Sequence, residues 1–153
     1  MLALELKIPP VALAVLFALA MWLLAQLTPS FAVPLLWRQV LAGIFTVTGT
    51  VIALSGVLAF RRANTTVDPR VPQQSSSLVI RGIYRYSRNP MYLGFLLLLL
   101  ALACYLMNVA AMALLPLFVL YMNRFQIAPE ERFLLQKFGA DYQAYCERVR
   151  RWL

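Results

Sequence analysis

Long apolar runs separated by short polar breaks set the pattern of this chain. The first extends from Pro9 to Leu27, "PPVALAVLFALAMWLLAQL", and the second from Leu35 to Phe60. A third, Tyr92 to Met107, and a fourth, Val109 to Phe125, are divided only by Asn108, so they are expected to form a tight antiparallel hairpin. A helix needs about 20 apolar residues to cross a bilayer, and by that measure the last two runs are short. The pattern predicts an all-α integral membrane protein of about four transmembrane helices, in which residues 1–153 form a single membrane domain. The first run has Lys7 as a charged flank, as a secretory leader would. Its length, Trp22 within it and the lack of a small-x-small cleavage site favour a retained helix. Gly43, Gly49, Ser55 and Gly56 suit close helix–helix approach in the second run. Pro116 is expected to kink the fourth.

Two polar stretches remain. Residues 61–91 read as a loop with three prolines and no apolar periodicity before Leu78, and loops of this length are functional or disordered. Residues 126–153 read as two short helices. Pro129 suits a first turn, Glu130 and Glu131 sit where the helix dipole favours carboxylates, Gly139 ends the first helix and Asp141 caps the next. In the second, Tyr142, Tyr145, Val149 and Trp152 share one face among Arg148, Arg150 and Arg151, the pattern of a helix lying in the membrane interface.

Charge gives the orientation. With the N-terminus cytoplasmic, Lys7, the six arginines from Arg61 to Arg88 and the six basic residues from Arg124 onward all lie inside, against Arg38 alone outside. That asymmetry places both termini in the cytoplasm. The formal net charge of +8 is carried beside apolar spans, so lipid headgroups or an anionic part of a ligand are the expected partners rather than nucleic acid. The absence of histidine removes imidazole general-base chemistry and the commonest metal ligand. Cys104 and Cys146 fall near opposite membrane faces, which argues against a disulfide and leaves no metal-ligand spacing. No Gly-rich nucleotide loop or nucleophile elbow is present.

Candidate chemistry therefore rests on two polar clusters that the hairpin should bring to one membrane face. Tyr84, Arg85, Tyr86, Arg88, Asn89 and Tyr92 precede the third span; Asn123, Arg124, Gln126, Glu130 and Glu131 follow the fourth. Carboxylates facing tyrosines, an Asn and Arg beside an apolar entrance suit a ligand with polar and cationic parts. Each residue also has a plainer reading: an aromatic belt with positive-inside anchors, first-turn carboxylates serving the helix dipole, and interfacial Tyr142, Tyr145 and Trp152. Asn89 fits least well as an anchor, and its amide suits either capping the third helix or holding a ligand.

"SSSLVIRGIYRYSRNPMYLG", followed one hairpin later by "PEERFLLQKFGADYQAYCERVRRW", resembles the membrane methyltransferase family of isoprenylcysteine carboxyl methyltransferase and phosphatidylethanolamine N-methyltransferase. The resemblance runs from about Thr65 to the C-terminus, and the paired motif is far more specific than either half. It implies transfer of a methyl group from S-adenosylmethionine, leaving S-adenosylhomocysteine, to a lipophilic or lipid-borne acceptor. The implied cofactor-binding residues are Ser76, Ser77, Leu78, Val79, Tyr84, Asn89, Pro90, Met91, Tyr92, Glu130 and Glu131, and the implied catalytic group is Glu130 with Arg124 and Gln126. Two positions depart from the pattern: Asn89 stands where many members have His, and Gln126 where the carboxyl methyltransferases have an arginine. Methyl transfer is an in-line displacement that can rest on positioning and exclusion of water. A carboxylate or thiolate acceptor needs no base, whereas an amine acceptor needs one, for which Glu130 or Glu131 is placed. The alternatives are a phospholipid amine N-methyltransferase and a non-enzymatic scaffold or transporter. The lack of ionisable residues within the spans, Arg38 apart, argues against a transporter.

Overall fold

The computed structural model of the chain describes residues 5–63 and 78–153. Five α-helices carry the architecture: α1 (Pro10–Leu27), α2 (Leu35–Arg62), α3 (Pro90–Leu106), α4 (Val109–Tyr121) and α5 (Ala128–Arg148). A 3₁₀ turn, Gly82–Arg85, precedes α3. Pro10 and Pro90 open their helices in the first turn, where the missing N–H costs nothing. Among the described residues three rods are long and apolar enough to cross a membrane: α1, α2 and the continuous helical stretch Val109–Arg148; α3 is a shorter apolar helix of 17 residues. Their outer faces carry exposed Leu16, Trp22, Trp37, Ile44, Val47, Val51, Leu54, Leu117 and Leu120. An apolar surface on that scale requires lipid rather than water around it.

α1 packs on α3 and α4, and α2 packs chiefly on α3. The shared core is Met21, Leu99, Ala103, Ala111, Phe118, Met122 and Ile127, with Phe17 edge-on to Phe118 at 5.4 Å between ring centres. The α2–α3 contact is close because it is built on small residues. A Cβ on Gly94 would lie 2.6 Å from the Ala53 Cβ and 2.7 Å from the Gly49 carbonyl oxygen, so only glycine fits.

The hairpin turns as its sequence predicts. Met107 takes a left-handed conformation (φ 46°), and the Asn108 side chain caps α4 by accepting from the Ala111 N–H at 3.0 Å. The Asn108 amide also donates to the Thr28 carbonyl (3.1 Å), the Thr28 hydroxyl (2.8 Å) and the Pro29 carbonyl (3.1 Å). Arg38 donates to the carbonyls of Tyr105 (2.6 Å) and Leu106 (3.4 Å). The ends of α1 and α3 and the starts of α2 and α4 are thus fastened together at this end of the bundle.

At the opposite end the expected boundaries change. The fourth span was expected to run to Phe125 and a separate helix to start near Pro129. Instead α4 passes at Met122–Ile127 through a π-helical turn directly into α5. Pro129 supplies the physical reason: it has no N–H to offer the Phe125 carbonyl four residues back. That carbonyl accepts from the Leu6 N–H at 3.1 Å, while the Ala128 N–H bonds to Asn123 five residues earlier. Glu5 then pairs with Arg132 at 2.7 Å, lacing the N-terminal segment onto α5. The expected break at Gly139 is present as a kink (φ 51°, ψ −122°), a conformation that favours glycine. The face bearing Tyr142, Tyr145 and Val149 was expected in the membrane interface; it is buried inside the protein against Leu78, Leu134 and Phe138. Helix α5 ends at Arg148, so Trp152 lies beyond it and donates to the Asn123 side chain at 3.0 Å.

Candidate functional site

The hairpin returns the start of α3 and the start of α5 to the same end of the bundle. There the Tyr92 hydroxyl donates to Glu130 Oε1 at 2.5 Å, and Gln126 Nε2 donates to the same oxygen at 3.2 Å. Tyr92 and Gln126 are both buried. The π turn gives α5 its rotation relative to α4, and Gln126 and Glu130, four residues apart, lie on one face across its end. Glu130 as a residue is half-buried, but its carboxyl sits deep among protein atoms. Burial pushes it above the ordinary carboxylate range, with the neighbouring Glu131 charge adding and the two hydrogen bonds opposing.

Glu131, one residue on, has a different environment. Arg151 grips it through Nε (3.1 Å) and a terminal nitrogen (2.6 Å), and Arg88 approaches to 3.1 Å. Arg88 Nε is buried without a hydrogen-bond partner among the described residues. Asn89 does not cap α3; its amide donates to the Arg151 carbonyl at 2.9 Å, and the Arg88 N–H donates to the Arg150 carbonyl at 3.0 Å. The C-terminal segment is thereby laid over the mouth of α3. Tyr84 is buried beside it, edge-on to Phe60 at 5.4 Å between ring centres, and its carbonyl accepts from the Tyr145 hydroxyl at 2.7 Å. Desolvation raises the pKa of Tyr84, so the phenol stays neutral.

Of the residues proposed from sequence, Tyr84, Asn89, Tyr92, Gln126, Glu130 and Glu131 are therefore gathered at one end of the bundle. Leu78 and Val79 are half-buried outside any helix, Leu78 packing on the Tyr142–Tyr145–Val149 cluster. Pro90 and Met91 pack against Gly56 of α2. Arg124 is exposed on the π turn and takes no part in the Glu130 cluster. Ser76 and Ser77 lie outside the described residues. Sequence reasoning missed the pairing of Arg151 and Arg88 with Glu131 and the Trp152–Asn123 bond. The one available signal was the run of arginines ending at Trp152, which reads equally well as a membrane anchor.

A phospholipid methyltransferase family profile matches residues 37–141. Protein-S-isoprenylcysteine O-methyltransferase A of Arabidopsis thaliana is 32% identical over 117 residues, covering 74% of this chain and 57% of the relative. A probable protein-S-isoprenylcysteine O-methyltransferase of Oryza sativa subsp. indica is 31% identical over 109 residues, 69% of this chain and 56% of the relative. The chain thus spans little more than half the length of these plant relatives. An uncharacterized protein of Haemophilus influenzae is 49% identical over 63 residues, 41% of this chain and all of that protein. No solved structure matches.

Proposed function

The chain belongs to the phospholipid methyltransferase family, and on that premise we propose that it is a multi-pass membrane enzyme moving a methyl group from S-adenosylmethionine to a lipophilic acceptor, in the manner of the isoprenylcysteine O-methyltransferases it is similar to. The observation that carries the reading is the Tyr92–Glu130 hydrogen bond, which joins two stretches 38 residues apart at the mouth of the apolar hairpin. One membrane domain spans the chain in this reading, with both termini cytoplasmic.

The residues present fit such a cofactor. Its anionic carboxylate matches Arg88, whose buried Nε is left without a partner, and its ammonium matches Glu130, which has no cation beside it among the described residues. Leu78, Val79 and Tyr84 supply apolar and aromatic surface for the nucleoside; Asn89, Pro90 and Met91 form the wall at the head of α3. When bound, the cofactor supplies an electrophilic methyl group on a sulfonium. What the protein does is hold, orient and exclude water. Glu131, held by Arg88 and Arg151, keeps the C-terminal segment closed over the site. Gln126 and Tyr92 fix the Glu130 carboxyl, whose ionised form, favoured once a cation lies beside it, can take a proton from an acceptor that must lose one. The acceptor enters sideways from the bilayer, and Gln126, with Arg124 at its margin, stands on that path.

Binding of S-adenosylhomocysteine to the purified protein, followed by calorimetry, tests this. Tyr92→Phe and Glu130→Gln should each weaken binding about tenfold or more, the worth of a hydrogen bond to a charged group. Tyr86→Ala, at an exposed tyrosine, should leave it unchanged. No heat with wild-type protein at millimolar ligand would refute the assignment.

A further inference from the structure

Outside the Tyr92–Glu130 cluster, the same end of the bundle carries an open cavity of about 330 Å³. Its lining is Ile80, Arg81, Arg85, Tyr145, Arg148 and Val149. Arg81 precedes the Gly82–Arg85 turn, Arg85 closes it, and Arg148 stands in the last turn of α5, far away in sequence. The site therefore exists only in the folded protein. Its floor is apolar: Val149 is buried, and the Tyr145 ring is buried with its hydroxyl engaged on the Tyr84 carbonyl. Its rim is cationic. Among the described residues none of the three arginines has a carboxylate partner. Arg148 uses Nε on the Ala144 carbonyl at 3.1 Å, and its two terminal nitrogens have no partner among the described residues.

Depth in the membrane decides what such a cavity meets. The turn is fixed by Tyr84 edge-on to Phe60, the last apolar residue of α2 before Arg61 and Arg62. That is the level at which the apolar spans end and lipid headgroups begin. Three guanidinium groups without a carboxylate partner among the described residues match the oxygens of a phosphate, and the apolar floor matches what a phosphate is attached to in a lipid. A free phosphate would satisfy the rim and leave the floor uncovered.

We propose that this cavity binds the phosphodiester headgroup of an anionic membrane phospholipid. The bound lipid bridges the turn that carries Tyr84 and the end of α5, and so holds the two together from the bilayer side. The site is separate from the methyl-donor pocket and does not depend on it.

The test is native mass spectrometry of the protein released from nanodiscs of phosphatidylcholine mixed with phosphatidylglycerol. Wild-type protein should retain phosphatidylglycerol in preference. Arg81→Gln/Arg85→Gln/Arg148→Gln should retain at least about tenfold less, the worth of a lost hydrogen bond between charged groups. Arg61→Gln/Arg62→Gln/Arg150→Gln, which removes the same charge elsewhere, should retain wild-type amounts. Equal retention by all three proteins, or equal losses in both variants, would overturn the proposal. So would displacement of the lipid by inorganic phosphate at concentrations matching the lipid, which would make the ligand a free anion. S-adenosylhomocysteine binding by the cavity variant should equal wild type; its selective loss would assign the cavity to the cofactor pocket and overturn a separate site. If wild-type protein binds no S-adenosylhomocysteine yet retains the lipid, the methyltransferase reading fails and the lipid site stands.

Discussion

Glu130 and Glu131 are consecutive, yet they meet different fates. Two guanidinium groups hold Glu131, whereas among the described residues Glu130 receives a phenol and an amide and no cation. A carboxyl buried without a cation prefers its proton. The folded protein therefore holds that proton more tightly than the unfolded chain, whose glutamate titrates near 4.5. Between 4.5 and the raised folded value the native state binds more protons, so stability falls as pH climbs through that window and levels off above it. Thermal unfolding in detergent should show this fall in wild-type protein relative to Glu130→Gln, which cannot ionise. A pH-independent difference between the two would contradict it. The sequence made Glu130 a candidate because the hairpin returns it to the head of α3. It could not distinguish Glu130 from Glu131, because that difference is made by Arg151, twenty residues on and brought back by the Gly139 kink.

At the scale of elements, hydropathy located the helices and Asn108 located the hairpin. Both depend on local composition, which a single chain displays. Gly49 and Gly56 of α2 were legible as packing positions, whereas Gly43, also expected to be one, meets no neighbouring helix, and the counterpart of Gly49 in α3 was hidden. Gly94 lies within a leucine-rich run, and its partners Gly49 and Ala53 are more than forty positions upstream. Gly94→Ala should force α2 and α3 apart and cost about 1–3 kcal/mol, the range for overpacking a tight contact. Gly43→Ala, where an added Cβ meets nothing within 4 Å, should be neutral or slightly stabilising in the same unfolding measurement. The π turn was hidden for a related reason. Pro129 reads as the start of a helix, and nothing nearby in sequence shows that the Phe125 carbonyl finds its donor at Leu6.

For the whole molecule, the N-terminal segment, laced to α5 through Glu5–Arg132, and the C-terminal segment, laid on α3 through Arg151–Asn89, share one end of the bundle. Arg38 marks the other. In the topology proposed above, the excess of Lys and Arg puts the shared end on the cytoplasmic side. Fluorescent-protein fusions at either terminus should therefore mature, and alkaline phosphatase fused at the same points should stay inactive. An active phosphatase at either end would reverse the topology.

The clasp of Asn108 on Thr28 and Pro29, with Arg38 on the final carbonyls of α3, has a mechanical consequence. Rods tied at one tip can spread only at the other, as the arms of forceps do, and small angular play at the joint becomes its largest travel at the jaws. The jaws here are the heads of α3 and α5. Any opening of the jaws must break Tyr92–Glu130 and Asn89–Arg151, while the pivot keeps its own hydrogen bonds.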